Sequence, residues 1–177
     1  MKNRDNIVLL GMPGAGKSTI GVLLAKSLGK KFLDTDLLIQ EKEGRLLREI
    51  IKKDGLEGFL SIENRINAAV EASDTVIAPG GSVIYGKEAM EHLAQTAVVV
   101  YLKLSYETVR ARLGDLTKRG VARRPGQTLY DLYEERCPLY ERYADLVVEC
   151  DGQELGETLQ SVMENLKNAL QTKRNDL

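Results

Sequence analysis

Gly11-Met12-Pro13-Gly14-Ala15-Gly16-Lys17-Ser18 decides the fold. The apolar run Ile7–Leu10 precedes it and a helical pattern, Lys17–Leu28, begins inside it. A G-x-x-x-x-G-K-[ST] stretch between a strand and a helix is a phosphate-binding loop. Its glycines let consecutive backbone N–H groups turn inward as an anion-binding concavity. The helix N-terminus adds about half a positive charge. Gly14 and Gly16 are expected where a Cβ would clash or force an unfavourable φ. Lys17 reaches the β- and γ-phosphates of a nucleoside triphosphate, and the Ser18 hydroxyl coordinates Mg²⁺. Gly11, Ala15 and Thr19 complete the expected nucleotide-binding set.

Outward from this loop, short apolar runs alternate with longer helical stretches. The runs are Lys31–Leu33, Thr75–Ala78, Ala97–Leu102 and Leu146–Glu149. With Ile7–Leu10 they make five strands with little polar alternation, the pattern of strands buried on both faces. Helical patterns follow over Leu37–Glu43, Leu46–Lys53, Glu57–Ala72, Lys87–Gln95, Tyr106–Leu113, Leu129–Tyr143 and Gln153–Leu170. Such alternation predicts an α/β fold, a five-stranded parallel sheet with helices on both faces and ligands at the strands' carboxyl ends. Two segments exceed a plain repeat. Residues 37–72 carry more helix than one crossover needs and read as a helical substrate-binding region. Residues 114–128, GDLTKRGVARRPGQT, have no apolar period and read as a lid. The polar tail Gln171–Leu177 is expected to fray.

The 177 residues fit one domain. Lys+Arg is 25 and Asp+Glu 26, a net charge of −1, which speaks against a nucleic-acid partner. No apolar run is long enough for a membrane span. Two cysteines, Cys137 and Cys150, make no disulfide framework, so a cytoplasmic setting is the simplest. His92 is the only histidine and leaves Ser-His-Asp chemistry nothing to use. No heptad or edge pattern suggests an oligomer, and a monomer is expected.

The class of P-loop protein follows from what accompanies the loop. No guanine-reading N-K-x-D segment is present, and the apolar run Val98–Leu102 ends in Lys103 rather than a Walker-B acid. The acids lie after the second strand, in Phe32-Leu33-Asp34-Thr35-Asp36. Alternation there would turn one carboxylate to a metal and the other to the mouth of the site; a solvated turn with a helix cap is the competing reading.

GMPGAGKST, LDTD, GLEGFLSIE, VIAPGGS and ERCPLYERYAD, in this order from about residue 7 to 148, resemble the shikimate kinase family, a small nucleoside-monophosphate-kinase-like P-loop fold. The resemblance implies an ATP-dependent kinase, most simply one acting on the shikimate 3-hydroxyl, with Mg²⁺ as cofactor. It implies that Lys17 and Ser18 hold ATP and Mg²⁺ and that Asp34 positions the metal through water. Asp36 would bind acceptor hydroxyls and take the reacting proton, and Gly80 and Gly81 would offer backbone N–H groups. Arg136 would pair with the acceptor carboxylate, Arg119 would close on the phosphates and Arg112 would flank the adenine. Gly80-Gly81 as a plain turn, and Arg112 and Arg136 as solvated helix charges, are the competing readings.

Three departures fall near the acceptor. The family carries an arginine after the phenylalanine, where Leu60 follows Phe59 here; its triple glycine is Gly80-Gly81-Ser82; and Ala122-Arg123-Arg124-Pro125-Gly126 stands in the region of its R-P-L-L lid motif. Arg45, Arg48 and Arg65 are candidates to replace the missing clamp. A kinase of another hydroxylated metabolite (hydroxy acid, sugar acid or nucleotide) and a non-catalytic ATP-binding module are the alternative functions.

Overall fold

Five strands build the sheet: β1 (Asn6–Leu10), β2 (Lys31–Asp34), β3 (Thr75–Ala78), β4 (Ala97–Lys103) and β5 (Leu146–Glu149). The computed structural model describes residues 4–113 and 121–175. All pairings are parallel, in the order β2-β3-β1-β4-β5. Every residue of β1 and β3 is buried. Successive strand side chains point to opposite faces, so helices must cover both. The edge strands β2 and β5 are only partly covered.

The helices are α1 (Lys17–Leu28), α2 (Thr35–Glu43), α3 (Leu47–Ala68), α4 (Lys87–Thr96), α5 (Tyr106–Leu113), α6 (Leu129–Tyr143) and α7 (Leu155–Asn175). A short 3-10 turn, Val83–Tyr85, precedes α4. Helix α1 packs on β1, β2 and β3 and against α7, while α4 and α6 pack on β4. Buried Asn6 ties the amino ends of the strands together: its amide donates to the carbonyls of Ala72 and Thr96, and its Oδ1 accepts from the Thr75 N–H. His92 is half-buried rather than solvated, its Nε2 lying 2.7 Å from the Val70 carbonyl.

The structure differs most from the sequence reading in three helices. Helix α2 begins at Thr35, two residues early, because Asp34 accepts the N–H groups of Asp36 and Leu37 and so caps it. The two patterns at Leu46–Lys53 and Glu57–Ala72 form one element, α3, broken by Gly55 at φ 72° and ψ 179°, and it stops at Ala68. Helix α7 runs to Asn175 instead of fraying from Gln171, since no glycine or proline interrupts the polar tail and extending a formed helix is easy.

Two apolar cores result. The larger is the sheet with its helices, around Val8, Leu9, Val76 and Val99. The smaller joins Ile39, Ile50, Phe59 and Ile66 of α2 and α3 to Ala122. Of the segment read as a lid, residues 114–120 lie outside the described residues. Its remainder is anchored by buried Ala122 and ends at Thr128, whose hydroxyl caps α6 by accepting from the Asp131 N–H.

Candidate active site

The loop at the carboxyl end of β1 sits between β3 and β4, where the strand order reverses and α/β sheets open a crevice. Gly14 and Gly16 have φ of 80° and 90°, which L side chains rarely adopt. Gly16 is the N-cap of α1, so the next residue, Lys17, begins the helix facing the crevice. The Lys17 Nζ donates to the carbonyls of Gly11 and Met12 at 2.8 and 3.0 Å. Burial pulls its pKa down to about 8, with Asp36 opposing. At neutral pH it is charged.

Ser18 and the acids of β2 meet next. The Ser18 hydroxyl donates to Asp34 Oδ2 at 2.7 Å, while Asp34 Oδ1 caps α2. Asp34 thus caps α2 with one oxygen and meets the Ser18 hydroxyl with the other. Asp36 lies in the first turn of α2 rather than on an extended strand end, so a strand-to-helix switch, not alternation, separates the two carboxylates. Burial raises the Asp36 pKa to about 6, helped by Asp34 and opposed by Lys17.

The turn after β3 supplies the opposite wall. A Cβ on Gly80 would stand 2.7 Å from Asp36 Oδ1 and 2.8 Å from Glu63 Oε1, so only glycine lets both carboxyls approach this backbone. Arg136, on α6, is 1% exposed. Its Nη2 donates to the Ala122 carbonyl at 2.5 Å, its Nε to Tyr85 Oη at 3.4 Å, and its guanidinium lies over the Tyr85 ring. It is not a solvated helix charge. Glu135 instead engages Arg124 and Tyr85, and Asp131 engages Thr128.

One cavity of about 520 Å³ brings these groups together. Gly14, Gly16, Lys17, Ser18 and Thr19 line one side, and Asp36, Gly80, Gly81, Ser82 and Arg136 the other. Gly11 and Ala15 lie beneath the loop and do not line it. A Cβ on Gly11 would stand 2.9 Å from the Leu102 carbonyl, and Ala15 closes the turn through its N–H to the Met12 carbonyl. Arg112 reaches the Gly14 carbonyl with Nη1 at 3.5 Å, on the outer side of the loop. Arg119 lies outside the described residues.

Leu60 does not line this cavity. It opens on a neighbouring one of about 440 Å³, which shares Ala122 with the first and also receives Arg123 and Arg124. The proposed replacements for a second clamp point elsewhere: Arg45 pairs with Asp54 and Glu43, Arg65 with Glu43, and Arg48 is exposed.

Sequence reasoning assigned no role to Glu63 or Tyr85. Glu63 is 1% exposed, accepts the Ser82 hydroxyl on Oε2 at 2.6 Å, and has no partner for Oε1. Burial raises its pKa to about 7, Ser82 pulling against this. The signal was its place in the stripe Phe59, Glu63, Ile66, Asn67, a carboxyl on the buried face of α3. Tyr85 carried no comparable signal. A carboxyl whose folded pKa is raised favours folding below its unfolded value and loses that contribution as pH rises to about 7. A shift of this size corresponds to about 3 kcal/mol. Glu63→Gln is therefore expected to melt higher than the wild type at pH 8, with the difference vanishing near pH 4.5, as thermal unfolding across that range will show.

A P-loop at the switch point of a parallel sheet, facing a half-buried carboxylate across one cavity, is the arrangement of a phosphotransferase, here one with an alcohol group as acceptor. A family model described as shikimate kinase matches residues 13–167, and the chain belongs to the shikimate kinase family. The shikimate kinase of Marinomonas sp. (strain MWYL1) is 36% identical over 175 residues, 96% of each chain. That of Vibrio cholerae serotype O1 is 38% identical over 156 residues, 86% of this chain and 90% of that protein. Among solved structures, shikimate kinase from Acinetobacter baumannii in complex with shikimate matches with a TM-score of 0.83 and 32% identity, over 93% of both chains.

Proposed function

We propose that the protein transfers the γ-phosphate of ATP to the 3-hydroxyl of shikimate. The observation that carries this is the single cavity in which Lys17, Asp36 and Arg136 converge. Phosphoryl transfer needs positioning and charge neutralisation more than covalent chemistry. The loop N–H groups and Lys17 would cradle the β- and γ-phosphates, and Arg112 would flank the adenine. Ser18 Oγ and Asp34 Oδ2, hard oxygens 2.7 Å apart, suit Mg²⁺, which takes one or two protein oxygens beside phosphates and water. When bound, that ion would neutralise negative charge on the phosphates. Asp36 would accept the hydroxyl proton as the acceptor oxygen bonds to phosphorus and the bridging oxygen leaves with ADP. Gly80 and Gly81 would direct N–H groups at the acceptor, and residues 114–128, with Arg119, would close over the phosphates and exclude water. We also propose a monomer acting in the cytoplasm on small molecules; the near balance of charge speaks against a nucleic-acid partner.

The planar fork of Arg136 can meet a carboxylate at two points, which a lysine cannot. Arg136→Lys is expected to raise the KM for shikimate roughly 10- to 100-fold, the loss of one charged hydrogen bond, with a smaller change in the KM for ATP. Steady-state kinetics in both substrates measure this. The decisive assay for the function is ADP release with shikimate beside a panel of hydroxy acids, sugar acids and nucleosides. Turnover of shikimate with the highest kcat/KM is expected; turnover of another acceptor alone would overturn the assignment.

A further inference from the structure

Ser82 ends the acceptor turn and lines the cavity, 5% exposed. Its backbone, φ −87° and ψ −4°, suits any residue, so local conformation does not demand serine. A hydroxyl has one proton and two lone pairs. Here the proton goes to Glu63 Oε2 at 2.6 Å. While Glu63 is ionised, above its pKa of about 7, the proton is committed there, because Glu63 Oε1 is already buried without a partner and turning the hydroxyl away would orphan the second oxygen as well. Glu63 stands behind the wall and does not itself line the cavity. What Ser82 shows the cavity is therefore acceptor lone pairs, strengthened by donation to a carboxyl. Across from the P-loop the cavity then offers the side chains of Asp36 and Ser82 as hydrogen-bond acceptors beside the buried Arg136 guanidinium.

Resting on the reading of the site as a shikimate-type kinase, we infer that Ser82 is a specificity-determining residue that accepts a hydrogen bond from an acceptor hydroxyl other than the one phosphorylated. Asp36 serves the reacting hydroxyl, Arg136 the carboxylate, and Ser82 a third group, so the molecule is held at three points.

The test compares wild type and Ser82→Ala at pH 8, where Glu63 is ionised, on shikimate and on analogues that each lack one non-reacting hydroxyl. Ser82→Ala is expected to raise the KM for shikimate roughly 5- to 10-fold, the worth of one neutral hydrogen bond, with kcat and the KM for ATP within about twofold of wild type. The analogue lacking the hydroxyl that Ser82 reads is expected to show the same KM in both enzymes. An equal rise in KM for every analogue, or no rise for any, would overturn the inference and leave Ser82 as a partner of Glu63 alone. Failure of wild type to use shikimate would instead sink the proposed function. The two enzymes are then compared in the same way on the hydroxylated acceptor that is turned over, and the same selective loss decides the role of Ser82.

Discussion

Lys17→Ala is expected to lower kcat by about 10²- to 10³-fold or more, the loss seen when one preorganised donor to a developing charge is removed. The lysine is the first residue of α1, and its Nζ is fixed on the Gly11 and Met12 carbonyls of the loop itself. The ammonium is therefore already held on the loop proposed to grip the phosphate. Burial already disfavours the charged amine, pulling its pKa down to about 8, so its removal should not unfold the chain. A melting curve close to wild type, together with the loss of turnover, is the expected pair of results. Full turnover in Lys17→Ala would mean that the loop does not hold the transferred phosphate.

Asp36→Asn should lose about 10²- to 10⁴-fold in kcat, the range for a general base. The wild-type rate should fall as pH drops below about 6, because the carboxylate must be ionised to take a proton and burial has raised its pKa to about 6. That acid limb should be missing from the residual activity of the variant. Stability should move the other way. A carboxyl with a raised folded pKa stabilises fully below its unfolded value of 3.8 and loses that contribution as pH rises through about 6. At pH 7 to 8 the neutral asparagine is expected to be more stable by about 3 kcal/mol. Loss of rate with a gain in melting temperature marks a residue held for chemistry at the expense of folding. An Asp36→Asn enzyme that keeps its rate would remove Asp36 from the mechanism, and one less stable at pH 8 would overturn its raised pKa.

The elements read from sequence were those written contiguously. The P-loop and α1 stand at their expected positions because one short stretch contains the strand end, the turn glycines and the helix start. Strand β3 and helices α5 and α6 also keep their expected ends, for the local pattern changes sharply there. Helix α2 began early because a side chain, Asp34, reached forward to cap it. The same reach explains why two carboxylates two residues apart diverge toward Ser18 and toward the cavity.

The acceptor side was less readable. The resemblance singled out Arg136, but its burial depends on Tyr85 and Ala122, which are 51 and 14 residues away. Leu60 and Ser82 stood out as departures from the family, yet their neighbours could not be inferred. Leu60 turns to a second cavity, and Ser82 turns to Glu63, 19 residues away on another helix.

Composition and spacing alone settle a balanced charge, a parallel α/β fold and a loop that grips phosphate, because those properties come from local geometry and from residue types summed along the chain. Which carboxylate meets Ser18, which arginine is buried, and where the Ser82 hydroxyl points are decided only when α2, α3, α6 and the turn after β3 pack around one cavity. These are contacts between residues far apart in sequence, and burial there sets each group's proton affinity as well as its direction.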